Sequence, residues 1–160
     1  YPDTMEMEFP VILDMEAPKV NAYSLESSIA EKLEAIVKNG FLNSRYKDFY
    51  DIYVLSENYL FNYEELNNAV METFTNRKTP ITMDTAAFSN EFLSDSMHQT
   101  RWNSFLRKIK ALIPVSMNDA LTRIKTFVTP LLAQTNAPVT EWDPNEGRWK
   151  YGPMSRKSTS

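Results

Sequence analysis

Charged residues inside the apolar stripes of two predicted helices are the positions at which this sequence could do chemistry. The stretch SLESSIAEKLEAIVKNG predicts a helix with Lys32 within the edge of its apolar stripe. The next stretch, NSRYKDFYDIYVLSEN, predicts a second helix that carries Arg45 and Asp48 into its apolar face, with Asp51 near the margin of that face. A charge on a buried face is costly unless it has a partner. We therefore expect each inward charge to be paired or to face a charged ligand.

Two interpretations of these inward charges remain open. In the first they are structural: Lys32 pairs with Asp48 between the helices, or Arg45 pairs with Asp48 along one helix. In the second, both helices line a cleft that binds a charged ligand. A polyphosphate with its metal ion would satisfy both signs of charge, because the ammonium would face phosphate oxygens and the carboxylate would face the metal or an attacking hydroxyl.

The same stretch resembles a known family. DMEAPKVNAYS followed by SLESSIAEKLEAIVKNGFLNSRYKDFYDIYVLS is similar to the later motifs of the AbiEii/AbiGii nucleotidyltransferase toxin family, with its AEKL lysine and R-x-K-D-x-Y-D helix. A weaker likeness continues to Leu132. The resemblance implies the toxin of a bacterial abortive-infection (phage-defence) toxin–antitoxin pair. It also implies Mg²⁺ and a nucleoside triphosphate as cofactors, an RNA acceptor that is a tRNA in some relatives, and a cognate antitoxin as partner.

By position, the resemblance implies a role for each inward charge. Lys32 and Asp48 are the implied catalytic residues, Lys32 and Arg45 the implied nucleotide-binding residues, and Asp51 a supporting residue. The alternative is a helical protein-interaction module that docks an antitoxin, with the inward charges forming ion pairs and no nucleotide chemistry.

The metal site that the family uses is not evident in this sequence. The family holds phosphates and metal with a Gly-Ser loop and an Asp-x-Asp or Asp-x-Glu pair, and no Gly-Ser occurs in the chain. Asp14 and Glu16 have the spacing of a metal pair, but no phosphate loop precedes them, and turn residues before Pro18 are the favoured interpretation. We therefore expect no metal ligand in this chain. We expect the metal-binding half of the enzyme to lie upstream, so that this chain alone does not transfer nucleotides.

Composition limits the remaining function classes. The 160 residues, 42% of them hydrophobic, are enough for one compact domain. A formal charge of −4 argues against a general electrostatic hold on nucleic acid. The chain has no cysteine and a single histidine, which excludes disulfides and Cys/His zinc sites. We expect no membrane segment and a cytoplasmic location, because no apolar run is long enough to span a bilayer.

The expected fold is mainly α with a short extended or β segment. The family resemblance implies that this is the helical C-terminal part of an α+β DNA polymerase β-like nucleotidyltransferase. Residues 1–24 are predicted to complete an upstream nucleotidyltransferase domain, residues 25–135 to form a helical domain, and residues 136–160 to form a mobile tail. The helix boundaries are predicted from a left-handed cap at Gly40, capping-box spacing at Asn62–Glu65 and Ser116–Asp119, and stops at Pro80 and Pro114.

Several other side chains have a structural interpretation as the favoured one. Glu31 and Glu34 are predicted to face solvent, and His98 to lie on a helix surface. The aromatic residues of the second helix are predicted to be core rather than a base-stacking platform. The basic stretch RWNSFLRKIK is predicted to be a solvated helix face, with contact to an RNA acceptor as the alternative. The aromatic residues of the second helix, which we call the aromatic set, are Tyr46, Phe49, Tyr50 and Tyr53.

Overall fold

The structure, a computed structural model, describes residues 24–40, 45–111 and 114–153. These residues are mostly helical, with one small antiparallel sheet, so the mainly α prediction is confirmed. The predicted extended segment before Ser24, with Asp14 and Glu16, lies outside the described residues. The helices are α1 (Leu25–Asn39), α2 (Tyr46–Asn58), α3 (Tyr63–Arg77), α4 (Asn90–Ser94), α5 (Ser96–Ile109) and α6 (Met117–Ala133), with a 3₁₀ turn at Ala86–Phe88.

The two predicted side-chain caps are present. The Asn62 side chain accepts a hydrogen bond from the Glu65 backbone N–H at 2.9 Å, and the Ser116 side chain accepts one from the Asp119 N–H at 3.0 Å. Each cap satisfies a backbone donor in a first turn that has no partner within the helix. Gly40 is the C-cap of α1 and has the positive φ of 59° that favours glycine. Its ψ of −135° differs from that of the predicted left-handed cap, so this cap is not the one expected. These local interactions explain why the boundaries were predictable.

The core forms where α1 and α2 pack against each other and against the remaining helices. α1 also contacts α3, and α2 contacts α5 and α6. Of the aromatic set, Tyr46, Phe49 and Tyr50 are buried and Tyr53 packs against the core, so the prediction that these rings are core is confirmed. Fully buried aliphatic residues from both helices fill the contact: Ile29, Leu33, Ile36, Ile52 and Leu55.

The C-terminal segment forms a β-hairpin. Strands β2 (Val139–Asp143) and β3 (Arg148–Tyr151) pair in antiparallel fashion, and β1 (Phe61–Asn62) extends the sheet in the order β1-β2-β3. Trp142 and Trp149 are buried on the helical core. The Trp142 indole N–H donates to the Ser56 carbonyl at 2.7 Å. The prediction of a mobile tail is therefore wrong for residues 139–151. Both indole rings are buried against the helices, and their N–H groups donate to carbonyl groups of α2 and α6.

Candidate active site

Lys32 of α1 and Asp51 of α2 form an ion pair between the two helices. The Lys32 Nζ lies 3.2 Å from the Asp51 Oδ2, and the two side chains are 6% and 0% exposed. The expected burial of Lys32 is confirmed. The expectation that Asp51 lies at the margin of the apolar face is wrong, since Asp51 is fully buried. The interhelical partner observed for Lys32 is thus Asp51 rather than the predicted Asp48.

Asp48 forms its ion pair within the first turn of α2. The Arg45 Nε lies 3.0 Å from the Asp48 Oδ2, which confirms the predicted pair of residues i and i+3. The Asp48 side chain is 2% exposed, whereas that of Arg45 is 52% exposed. The Arg45 side chain therefore lies at the protein surface, and its guanidinium contacts a buried carboxylate.

The burial of Asp51 follows from the position of α2 in the fold. The helical-wheel argument assumes one buried face and one solvated face. From Asp48 to Ile52 every residue is buried, because α1, α5 and α6 cover α2 from different sides. The tertiary structure therefore buries both carboxylates, Asp48 and Asp51, and each lies beside a cationic side chain.

Glu34 is a second residue whose environment differs from the prediction. It was expected to face solvent, but it is buried, and its Oε1 lies 3.1 Å from the Arg77 Nη1. Its Oε2 accepts a hydrogen bond from the Thr79 hydroxyl at 2.6 Å. The expectation of a solvated charge is wrong because α3 covers this side of α1. No signal in the α1 stretch alone indicated this contact.

His98 is buried next to the candidate site rather than on a helix surface. The His98 Nδ1 lies 2.7 Å from the Tyr46 hydroxyl, and the His98 ring stacks on Phe92 with centroids 3.9 Å apart. Burial raises the pKa of the Tyr46 hydroxyl, and the nearby Arg101 guanidinium opposes that rise. The predicted surface position of His98 is therefore wrong. These contacts join α5 to the first turn of α2, beside the Arg45–Asp48 pair.

The carboxylates of the site do not fit a magnesium ion by themselves. Mg²⁺ requires several oxygen ligands, whereas Asp48 and Asp51 each face a cationic side chain at 3.0 and 3.2 Å. Within residues 24–40, 45–111 and 114–153, no group of three or more His, Asp or Glu side chains could hold a metal ion. Asp48 and Asp51 alone therefore do not form a magnesium site.

A family model described as "Nucleotidyl transferase AbiEii toxin, Type IV TA system" matches residues 1–126 of the 160. The chain belongs to the AbiEii nucleotidyl transferase toxin family. No curated protein and no solved structure matches it.

Membership in the AbiEii family confirms the resemblance carried by the AEKL and NSRYKDFYDIY stretches. It implies a nucleotidyltransferase toxin with a cognate antitoxin, in a family that generally uses a nucleoside triphosphate and a divalent metal. The AbiEii match ends within α6, so the β-hairpin lies beyond it. None of the helices in the described part of the chain is long and apolar enough to cross a membrane.

Proposed function

We propose that Lys32, Arg45 and Asp48 serve nucleotidyl transfer from a nucleoside triphosphate to an RNA acceptor, such as a tRNA, in the full-length protein. The observation that supports this proposal is the convergence of the family's motif residues. The carboxylates Asp48 and Asp51 lie on one buried stretch of α2, and each is paired with a cation. Lys32 comes from α1, and Arg45 is the N-cap residue of α2. A fold that needed only stability could fill these positions with apolar residues at no loss.

Lys32 is proposed to contact the triphosphate. Its ammonium is a compact point charge with three donors, and a partly desolvated ammonium attracts phosphate oxygens more strongly than one in water does. Asp51 lies at the end of the Lys32 side chain and is itself completely buried. In this proposal Asp51 is a positioning residue, because it orients the amine without reaching the substrate.

Arg45 and Asp48 are proposed to act together at the first turn of α2. The half-exposed Arg45 guanidinium has the planar fork that binds phosphate oxygens. Asp48 is proposed to accept the proton of the attacking RNA hydroxyl, as a carboxylate does in related phosphoryl transfers. The hydroxyl oxygen then bonds to the α-phosphorus, and the bond from the α-phosphorus to the bridging oxygen breaks to release pyrophosphate. A divalent metal, when bound, supplies charge neutralisation at the phosphates, and we assign it no ligand among the described residues.

A transfer assay on the full-length protein tests the proposal. Labelled nucleoside triphosphates, magnesium and total RNA are supplied to the wild type and to Asp48→Asn. We expect transfer to fall by roughly 100-fold or more, which is the scale of a lost general base. The melting temperature should change little, because the stranded Arg45 is already half in water. Asp84→Asn, at an exposed loop position, is the control that keeps wild-type transfer.

The alternative function makes the opposite forecast for the same variant. If the helices only dock an antitoxin and the ion pairs are structural, Asp48→Asn reduces any transfer only in proportion to the loss of folded protein. Wild-type transfer per folded molecule in Asp48→Asn would overturn the proposed role of Asp48. Repeating the assay with purified tRNA and with RNA depleted of tRNA decides whether tRNA is the acceptor.

A further inference from the structure

The outer face of α5 is a local basic surface on an acidic protein. The whole chain has 17 Lys and Arg against 21 Asp and Glu. Between Ser96 and Asn118, by contrast, the sequence contains no acidic residue. Four exposed cations lie there: Arg101, Arg107, Lys108 and Lys110. We call these four residues, three on α5 and Lys110 at its C-cap, the α5 basic face.

The α5 basic face differs from the other arginine sites of the structure in its pairing. Within the described residues none of its four cations forms an ion pair. Every described arginine outside α5 does form one, at 3.0 to 3.3 Å. These pairs are Arg45–Asp48, Arg77–Glu34, Arg123–Glu57 and Arg148–Glu146. The other described arginines are thus paired with carboxylates, whereas the two arginines of α5 have no carboxylate partner among the described residues.

The fold does not need these cations, because the opposite face of α5 makes the packing contacts. His98, Trp102 and Leu106 are the buried residues of α5. Trp102 contacts the rings of Tyr46 and Tyr50 on α2. The four cations are exposed and are not among these packed residues. A fold-level role would instead show buried or paired charges.

The α5 basic face begins beside the candidate active site. Arg101 is close enough to the Tyr46 hydroxyl to influence its pKa, and Tyr46 immediately follows Arg45, the partner of Asp48. From Arg101 the helix continues toward Lys108 over roughly 10 Å at 1.5 Å per residue. A polymer bound along α5 would therefore reach the first turn of α2.

The chemistry of this surface suits a nucleic acid better than a protein. Protein interfaces usually centre on buried aromatic or aliphatic anchors, but apart from Met97 on the first turn the exposed residues of α5 are polar. Protein–nucleic acid interfaces are more polar and much more positive. A cleft beside α5 adds amide groups that match base edges, and its lining residues are Gln99, Asn103, Ser116, Met117 and Asn118.

We propose that the α5 basic face binds the sugar–phosphate backbone of the acceptor RNA and leads it toward Asp48. This inference rests on the proposed nucleotidyl transfer, and it adds the surface on which the acceptor is held. The net negative charge of the chain does not oppose it, since phosphate contacts depend on local rather than total charge.

Binding measured without chemistry tests the surface. Fluorescence anisotropy of a labelled, mixed-sequence, single-stranded oligoribonucleotide is recorded with the full-length protein, without nucleotide or magnesium, over a salt series. We expect Arg107→Gln/Lys108→Gln to weaken binding roughly tenfold and to reduce the salt slope by about 1.4, which corresponds to two lost phosphate contacts on a single strand. Arg107→Lys keeps the charge and should bind as the wild type does.

The matched control removes the same amount of charge from other helices. Lys38→Gln/Lys125→Gln changes one cation on α1 and one on α6, and we expect wild-type affinity from it. Melting curves confirm that each variant is folded. Equal losses in the control and in the α5 variant would overturn the inference. Displacement of the RNA by polyglutamate at the same charge concentration would also overturn it, in favour of an acidic protein partner.

The same variants separate this inference from the proposed function. Asp48→Asn should bind the oligoribonucleotide as the wild type does, because it changes the chemistry and not the surface. If Arg107→Gln/Lys108→Gln keeps full transfer and full binding, the surface is wrong and the proposed function stands. If the wild type binds RNA through α5 but transfers no nucleotide, the proposed function is wrong and the surface stands.

Discussion

The Lys32 ammonium lies 3.2 Å from the Asp51 carboxylate, and 6% and 0% of the two side chains are exposed. Removing one partner of such a pair leaves an uncompensated charge away from water, whereas replacing both by apolar residues of similar volume is often neutral. A single substitution at either position therefore changes stability as well as any chemistry. Only the double substitution separates the two effects.

The first prediction concerns this pair. Lys32→Met should lower the free energy of unfolding by about 3–5 kcal/mol, because Asp51 is left buried without its lysine. Lys32→Met/Asp51→Met should recover most of that loss, since both charges are gone. Denaturant unfolding measures the stability, and nucleotide transfer by the full-length protein measures the activity. If Lys32 meets the triphosphate, the stable double variant stays inactive; wild-type transfer by it would show that Lys32 is structural.

The second prediction compares two acidic residues of α1 that both face Arg77. Glu34 is buried at 3.1 Å from the arginine, whereas the Glu31 side chain is 41% exposed at 3.8 Å. Glu34→Gln should cost about 1–3 kcal/mol, because it weakens charge-assisted hydrogen bonds in a buried place. Glu31→Gln should change stability by less than about 0.5 kcal/mol, as for exposed ion pairs. Similar denaturation midpoints for the two variants would contradict this difference.

The third prediction concerns the attachment of the β-hairpin to the helices. The Arg123 guanidinium on α6 donates to the Ser56 carbonyl at 2.9 Å and to the Pro144 carbonyl at 2.8 Å. It also lies 5.3 Å from the centre of the Trp142 ring. Arg123→Met should cost roughly 2 kcal/mol, because two hydrogen bonds to a charged donor are lost.

Hydrogen exchange measures the hairpin prediction locally. In Arg123→Met the backbone amides of 139–151 should exchange faster, while those of α1 keep their protection. Arg148→Met is the control, because its side chain is 67% exposed and its ion pair with Glu146 lies at the surface. Unchanged exchange in the hairpin of Arg123→Met would show that the indole contacts alone hold it.

The fourth prediction is a pH dependence at the hairpin turn. The Asp143 carboxylate accepts hydrogen bonds from the backbone N–H groups of Glu146 at 3.1 Å and Asn145 at 2.9 Å. The bond from Glu146 is the largest cause that lowers the pKa of Asp143, and the bond from Asn145 and the charge of Lys150 add to it. A lowered folded-state pKa means stabilisation that is complete above the unfolded value, ~3.9 for aspartate, and that is lost as pH falls through the lowered pKa.

Asp143→Asn tests the sign of this effect. The wild type should be more stable than the variant at neutral pH, and the difference should shrink as the pH falls below about 4. Unfolding free energies of both proteins across this range give the difference directly. A difference that is constant with pH would contradict the role of the carboxylate charge.

Local signals in the sequence were sufficient for the helices and for the identity of the motif residues. The caps at Asn62 and Ser116 join residues three apart, so nothing distant is needed to form them. The Arg45–Asp48 pair is local in the same way. The AEKL and NSRYKDFYDIY stretches indicated the family for the same reason, since a motif is read within a short segment.

The β-hairpin was not predicted from the sequence. Its turn, DPNEG, lies between two tryptophans, and this pattern was a usable signal for two strands. Composition alone favoured a tail instead. What orders the segment is contact with distant residues, since Trp142 and its acceptor Ser56 are 86 residues apart. Such contacts depend on the assembled helices.

The sequence by itself determined that Lys32 and Asp48 would be drawn inside, because apolar periodicity places a residue on a helix face. It could not determine which carboxylate meets Lys32, because that depends on how α1 and α2 cross. Nor could it place Glu34 and Asp51, since periodicity assumes that each helix keeps one side in water. In the tertiary structure α3 covers the second side of α1, and α5 and α6 cover α2. Their burial was therefore decided by how many neighbours each helix has, which is a property of the whole fold.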